Sequence, residues 1–227
     1  MLVLSLIAFM AINASASTEV ETLKNQILET AESFKGQGDP YGSKQRALED
    51  LVEQLLIINP QPTIKDRLPL LKGAWKQVWG PYEYRKNNRG VDPTLDFNNI
   101  YQVVFDGYYY NVNPSLDRNG LPKKIVLLRG AFSLDPDTTD SLIARFTDLK
   151  EIKSLPQNGL QFKDLPALSE SKKLVGERRT LPKFLVKLFF GGGTLKEVYT
   201  DHNLRILFGS GQNEAVSNYI YIMRRVQ

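Results

Sequence analysis

Short runs of aromatic and β-branched residues, each ended by turn residues, follow one another from Gly73 to Arg225, and this series constrains the fold more than any other feature. The strand candidates are Gly73–Trp79, Ile100–Phe105, Tyr108–Val112, Lys124–Leu134, Leu142–Leu149, Lys172–Val175, Leu195–Thr200, Leu204–Phe208 and Asn218–Arg225. Asp106-Gly107 and the stretch from Asp201 to Asn203 read as hairpin turns, Asp-Gly being favoured where a tight turn needs positive φ. Eight or nine strands, joined mostly as neighbours in sequence, favour an antiparallel barrel or sandwich. Period two then sorts the strand faces. Trp75, Gln77 and Trp79 share one side, as do Tyr101, Val103 and Phe105, then Leu204, Ile206 and Phe208, then Tyr219, Tyr221 and Met223. Such aromatic-rich sets, turned inward, either fill a solid core or line a cavity for a flat or chain-like apolar ligand, since barrels of about eight strands do both.

Two short helices are expected ahead of the strands. Thr18 and Glu21 have capping-box spacing, and Val20, Leu23, Ile27, Ala31 and Phe34 recur at helical intervals until Gly36 offers a stop. Ser43 is placed to cap a second helix carrying Ala47, Leu48, Leu51, Val52, Leu55 and Leu56 on one stripe. Asn59-Pro60-Gln61-Pro62 ends it, because proline lacks an N–H and pushes its predecessor toward extended geometry. The expected organisation is a targeting segment over 1–16, helices over 17–58, a linker over 59–72 and a β domain over 73–227.

The targeting segment rests on the apolar run Met1 to Ile12, which precedes Ala14-Ser15-Ala16, a small-x-small sequence of the kind signal peptidase cleaves. No Lys or Arg precedes the run, and it is short for a permanent span. Export or membrane targeting stands beside a mis-assigned start or simple packing of the N-terminus.

Chemistry is scarce. Without cysteine there are no disulfides, thiol nucleophiles or thiolate metal sites, and the single His202 cannot build a histidine-rich metal site. His202 falls in an expected hairpin tip, where Asp201 reads as a turn residue and not as part of a hydrolytic triad. Asp135, Asp137 and Asp140 read as a solvated turn, since the glycine of a calcium-binding loop is missing. Gly191-Gly192-Gly193-Thr194 lacks the lysine of a phosphate loop and runs into a strand. No catalytic residue, cofactor or metal is expected.

The formal net charge of +4 is unevenly placed: residues 172–187 hold Lys172, Lys173, Arg178, Arg179, Lys183 and Lys187 against Glu177 alone. Such a surface suits an anionic partner. No nucleic-acid motif accompanies it, so no nucleic acid is expected as partner. In Pro182 to Phe190, Lys183 and Lys187 lie among Phe184, Leu185, Val186, Leu188, Phe189 and Phe190. That pattern fits a membrane contact in which the apolar side chains enter the headgroup boundary and the lysines snorkel. It fits equally a short element closing one end of the barrel. Lys183, Phe184, Lys187, Phe189 and Phe190 are the candidate contact residues.

Asn59-Pro60-Gln61-Pro62, then Leu71-x-Gly73-x-Trp75, Ile100-Tyr101-Gln102-Val103, and Gly193-Thr194-Leu195 through Tyr199-x-Asp201-x-x-Leu204-Arg205-Ile206 together resemble the plastid lipid-associated proteins, or fibrillins. The resemblance implies a mainly β, lipocalin-like antiparallel barrel of about eight or nine strands preceded by two short α-helices. It implies association with thylakoids and plastid lipid droplets, the plastoglobules, and handling of prenylquinones, carotenoids or acyl lipids without a known reaction. Trp75 would close the barrel floor beneath a basic side chain from a late strand, Arg205 or Arg224. The interior candidates are Trp75, Trp79, Tyr101, Phe105, Tyr110, Arg205 and Tyr221.

Two features depart from the family pattern. Leu207-Phe208-Gly209 follows Leu-Arg-Ile where Arg-Gly is common. The N-terminus also looks like an export signal, which opens a lumenal or periplasmic location. The expected partners are an apolar lipid and a membrane or droplet surface. The alternative is a structural coat or interaction protein of photosynthetic membranes that supports a lipid-biosynthetic enzyme.

Overall fold

The structure, a computed structural model, describes residues 2–37, 39, 42–80, 94–153, 161–170, 192–211 and 219–226. Helix α1 (Leu2–Phe34) runs for 33 residues, so Thr18 does not start a helix. Its carbonyl instead accepts from Thr22 Oγ1 at 2.8 Å within the helix. Nothing in the preceding sequence stops a helix: there is no proline or glycine before Gly36, and capping-box spacing also occurs inside helices. Gly36, at φ 76°, ends α1 as its sequence position implies. Helix α2 (Ser43–Ile58) has the expected limits. Its cap comes from further away than Ser43, because the buried Asp39 accepts from the backbone N–H of Gln45 at 2.9 Å.

A third helix, α3 (Ile64–Leu71), occupies the segment expected to be a linker. Ile64, Leu68 and Leu71 recur on one side of it and join the barrel core. Eight residues with Pro69 inside give too short a pattern to read from sequence alone.

Eight strands follow: β1 (Gly73–Trp79), β2 (Tyr101–Val104), β3 (Tyr108–Leu116), β4 (Pro122–Leu134), β5 (Ser141–Ile152), β6 (Gly192–Thr200), β7 (Leu204–Gly211) and β8 (Tyr219–Arg225). Each pairs antiparallel with its neighbour in sequence, and β1 pairs with β8, which closes the barrel. The candidate strand Lys172–Val175 lies outside the described residues. Both expected hairpins form, with Phe105 N–H to Tyr108 O at 2.8 Å and Asp201 N–H to Leu204 O at 2.9 Å.

This connectivity makes the two ends of the barrel different. The β2–β3 turn, the β4–β5 loop, the β6–β7 turn and α3 all lie at one end, and α3 is tied to the β4–β5 loop by Ile64 N–H to Thr139 O at 2.8 Å. The longer connections β1–β2, β5–β6 and β7–β8 all join at the other.

Among the described residues three apolar clusters result. Inside the barrel, Trp75, Val104, Tyr109, Leu142, Ala144, Leu207 and Met223 pack together, with Ile64 and Leu71 of α3 closing the end. Outside, α1 and α2 cover Val78, Trp79, Tyr199, Leu204, Ile206, Ile220 and Ile222. A second outer cluster holds Val103, Tyr110, Val112, Ile125, Leu127 and Ile152 beneath Leu165 of α4 (Leu165–Glu170), with Tyr101, Phe105, Tyr108 and Phe162 packed against it.

Candidate functional site: the barrel interior and its sealed end

Trp75 leads β1 into the barrel and is fully buried. Its indole Nε1–H donates to Leu71 O at 2.7 Å, so the last turn of α3 satisfies the polar edge of the ring. The basic side chain over it is Arg225, with the guanidinium carbon 4.1 Å from the ring centroid, and neither Arg205 nor Arg224. Arg225 pairs with Trp75 in the β1–β8 ladder, which brings it over the ring. It also donates to His202 O at 2.6 Å, Lys72 O at 2.7 Å and Leu70 O at 2.5 Å, stitching the β6–β7 turn and the end of α3 to the last strand. Burial lowers its pKa from the ordinary arginine value. Gly73 has to be glycine: its φ is 120°, and a Cβ there would lie 2.6 Å from Arg225 Nη1. The Gly-x-Trp spacing thus encodes a seal made of one ring, one guanidinium and the backbone that lets them meet.

Arg205 does something else. Its Nε and Nη2 bind the two carboxylate oxygens of Glu197 at 3.0 and 2.5 Å, and Nη1 donates to Gln102 Oε1 at 2.6 Å across the barrel. Gln102 in turn donates to Asn111 Oδ1 at 3.0 Å. The ion pair is almost wholly buried, with side-chain exposures of 2% and 0%, and its geometry is the two-pronged one that best offsets desolvation. Arg67 of α3 donates from Nη2 to Glu197 O at 2.7 Å and from Nε to Pro62 O at 2.9 Å. Burial lowers its pKa despite the nearby Glu197 and Asp140. Burial likewise raises the pKa of Tyr109, with Arg205 opposing it.

The motifs scattered along the sequence converge at this sealed end. Asn59 Nδ2 donates to Tyr199 Oη at 3.2 Å, and Gln61 Oε1 accepts from Thr200 N–H at 3.2 Å. Tyr199 Oη donates to Asp201 Oδ2 at 3.0 Å, and Asp201 Oδ1 caps the turn through the N–H groups of Asn203 and Leu204 at 2.7 and 2.8 Å. Lys24 of α1 completes the network at 2.6 Å from Asp201 and 2.6 Å from Glu21. Burial works against the Lys24 charge, but its carboxylate partners outweigh that and hold its pKa above the ordinary value. Burial similarly opposes ionised Asp201, but Lys24 and the two backbone N–H groups hold its carboxyl below the usual range.

Of the interior candidates, Trp75 and Arg205 are inside and Tyr221 packs against the interior cluster. Trp79 is not inside, because a register shift between Gln77 and Trp79 flips the face, and Trp79 meets Phe34 of α1 at 6.1 Å between ring centroids. Tyr101, Phe105 and Tyr110 also face outward; Gln102, Val104 and Tyr109 point in instead. The set Leu204, Ile206 and Phe208 lies outside as well, under α1 and α2. The membrane-contact candidates Lys183, Phe184, Lys187, Phe189 and Phe190 lie outside the described residues.

Sequence reasoning missed Gln102, Tyr109 and Glu197 as interior groups. Their polarity was the only signal available, and on an amphipathic strand it points to solvent. Outside the barrel, near the sealed end, a cleft of about 340 Å³ lies between Gly73, Ala74, Val103, Phe105 and Phe162, with the Lys72–Asp106 ion pair on its rim.

Among the described residues no helix is long and apolar enough to cross a membrane. No curated protein matches the chain. A family model, PAP_fibrillin, matches residues 21–216, a span that runs from within α1 through β7 and includes Trp75 but not Arg225 of β8. The sequence series that meets at the barrel floor and this match over most of the chain together place the protein in the PAP/fibrillin family, the plastid lipid-associated proteins.

Proposed function

We propose that the protein binds apolar lipids without catalysing a reaction, storing or transporting prenylquinones, carotenoids or acyl lipids at thylakoid membranes or lipid droplets. The observation that carries this reading is the asymmetry of the barrel. Trp75, Arg225 and α3 seal one end. Toward the other end, Val126 and Leu149 are only half-buried although the ladder puts them on the inward face, in phase with Asn113 and Leu128. Apolar side chains facing inward and still reachable are what a lipid chain needs, and covering them would yield about 25 cal/mol per Å² before binding costs.

The lysines and phenylalanines Lys183, Phe184, Lys187, Phe189 and Phe190 would hold the protein at the lipid surface. Native mass spectrometry and organic extraction of the purified protein should find a co-purifying lipid. Repeated absence, with no uptake in titrations, would refute the reading. Flotation with anionic vesicles tests the surface contact, which is refuted if a Phe189→Asp, Phe190→Asp variant floats as the parent does.

A second reading is favoured by tight filling in both halves of the barrel. A Cβ on Gly130 would meet the Tyr109 ring at 2.3 Å, and one on Gly209 would meet Tyr221 at 2.8 Å. In that reading the barrel is a solid body coating photosynthetic membranes or supporting a lipid-biosynthetic enzyme. Co-purification of such an enzyme with a lipid-free barrel would favour it.

A further inference from the structure

On the inward face of β3, two buried side chains have atoms without a partner among the described residues. Asn113 is 9% exposed and Ser115 is 1% exposed, and neither Asn113 Oδ1 nor Ser115 Oγ has a hydrogen-bond partner. Their direction follows from the strand: Tyr109, two pleats before Asn113, sits in the interior cluster, and Asn111 binds the interior Gln102. Burying a polar atom without a partner costs free energy, so a pair of them on one face marks a place where a polar group is missing.

The two atoms specify that group. The Asn113 carbonyl only accepts, so it needs a donor; the Ser115 hydroxyl can donate and so can use an acceptor. Alternate residues on a strand are about 7 Å apart, and two ordinary hydrogen bonds through one oxygen cover about 6 Å, so one oxygen joins the two side chains once they lean slightly together. A group that donates and accepts at one oxygen is a hydroxyl. An ether, ester or ketone supplies no donor, and neither does a carboxylate. Among the described residues no free charge faces an ionic head either: Arg205 is matched by Glu197, and Lys124, opposite Ser115 in the ladder, lies 3.6 Å from Glu151.

We propose that Asn113 and Ser115 form the head-group site of the barrel, selecting a neutral lipid that ends in a hydroxyl over the same chain ending in an ether or a carboxylate. This rests on the reading that the barrel takes a lipid. The hydroxyl lies among Asn113, Ser115 and the Gln102–Asn111 pair, and the chain runs along the inward face past Val126, Leu128 and Leu149.

The test uses three probes of one chain length, hexadecan-1-ol, its methyl ether and hexadecanoate, titrated into the full chain and followed by native mass spectrometry. The alcohol makes the bond to Asn113 that the ether cannot, and one hydrogen bond at ordinary net strength predicts binding up to about tenfold tighter than the ether, with hexadecanoate weakest. In a Ser115→Ala, Asn113→Leu variant the alcohol and the ether should bind alike. Its melting temperature should not fall, because the variant loses two unpaired buried polar atoms. Equal binding of alcohol and ether to the unaltered protein, as expected if water satisfies the two side chains, would overturn the head-group site and leave lipid binding standing. Tightest binding of hexadecanoate would overturn it too. Failure of all three probes to bind would sink the lipid-binding reading along with this one.

Discussion

Replacing Glu197 with alanine removes the carboxylate that holds Arg205 and leaves the guanidinium in a site where its side chain is 2% exposed. Two of its hydrogen bonds go to Glu197 and one to Gln102, so the Glu197→Ala variant keeps one neutral acceptor for a buried cation. Breaking a buried pair from one side costs about 3–5 kcal/mol, and for a chain of this size each kcal/mol lowers the melting temperature by about 2–4 °C. The expected loss is therefore about 6–20 °C, read by circular dichroism and checked by urea unfolding. Removing both charges should behave differently, because an apolar pair of similar volume avoids the desolvation penalty. A Glu197→Leu, Arg205→Met double variant should recover most of the loss. A single variant losing less than about 1 kcal/mol would refute the reasoning. So would a double variant no more stable than the single, which would mean that Arg205 is hydrated and not locked in the interior.

Gly73→Ala should destabilise by about 2–4 kcal/mol, from the strain of a Cβ at φ 120° and the displacement of Arg225, and should red-shift tryptophan emission as the Trp75 seal loosens. Arg225→Met should cost about as much and add nothing to Gly73→Ala in the double variant, since both act on one contact; additive losses would contradict this. Asp201→Asn keeps the turn-capping oxygen but loses the charge facing Lys24, for an expected cost of about 1–2 kcal/mol at neutral pH. Asp201 has a depressed pKa, so its contribution is complete above the unfolded value of about 3.9 and fades as pH falls through the folded one. Lys24 has a raised pKa, so its contribution is complete below about 10.4 and fades as pH rises through the folded value. The stability gap between parent and variant should thus stay flat from about pH 4 to 10 and narrow on either side; a gap that changes near pH 7 would contradict the pairing.

The strand series, both tight hairpins, the limits of α2 and the Gly-x-Trp start of the barrel were legible in the sequence, because each rests on local chemistry. Which face of each strand points inward was not. Alternation separates Tyr101 and Val103 from Gln102 and Val104, but it assigns the apolar set to the interior only when the other face meets water. Here α1, α2 and the 162–165 segment cover much of the outside, so both faces of several strands are apolar. The Arg205–Glu197–Gln102 set inverts the usual signal further by placing charges inside. Trp79 was out of reach for a separate reason, since the bulge after Gln77 leaves no mark in composition. The resemblance did place Arg205 in the interior, but assigned the cation over Trp75 to Arg205 or Arg224, when the register of β8 against β1 selects Arg225.

Lipid entering the barrel can be followed by the two tryptophans separately. Trp75 lies in the interior cluster and Trp79 in the outer one beneath α1 and α2. A brominated hexadecanol, which quenches tryptophan on close approach, should be titrated into a Trp79→Phe variant that retains Trp75, and into a Trp75→Phe variant that retains Trp79. Saturable quenching that is clearly stronger for Trp75 is expected. Quenching confined to Trp79, or equal and unsaturable for both, would mean that lipid stays on the outside of a solid barrel.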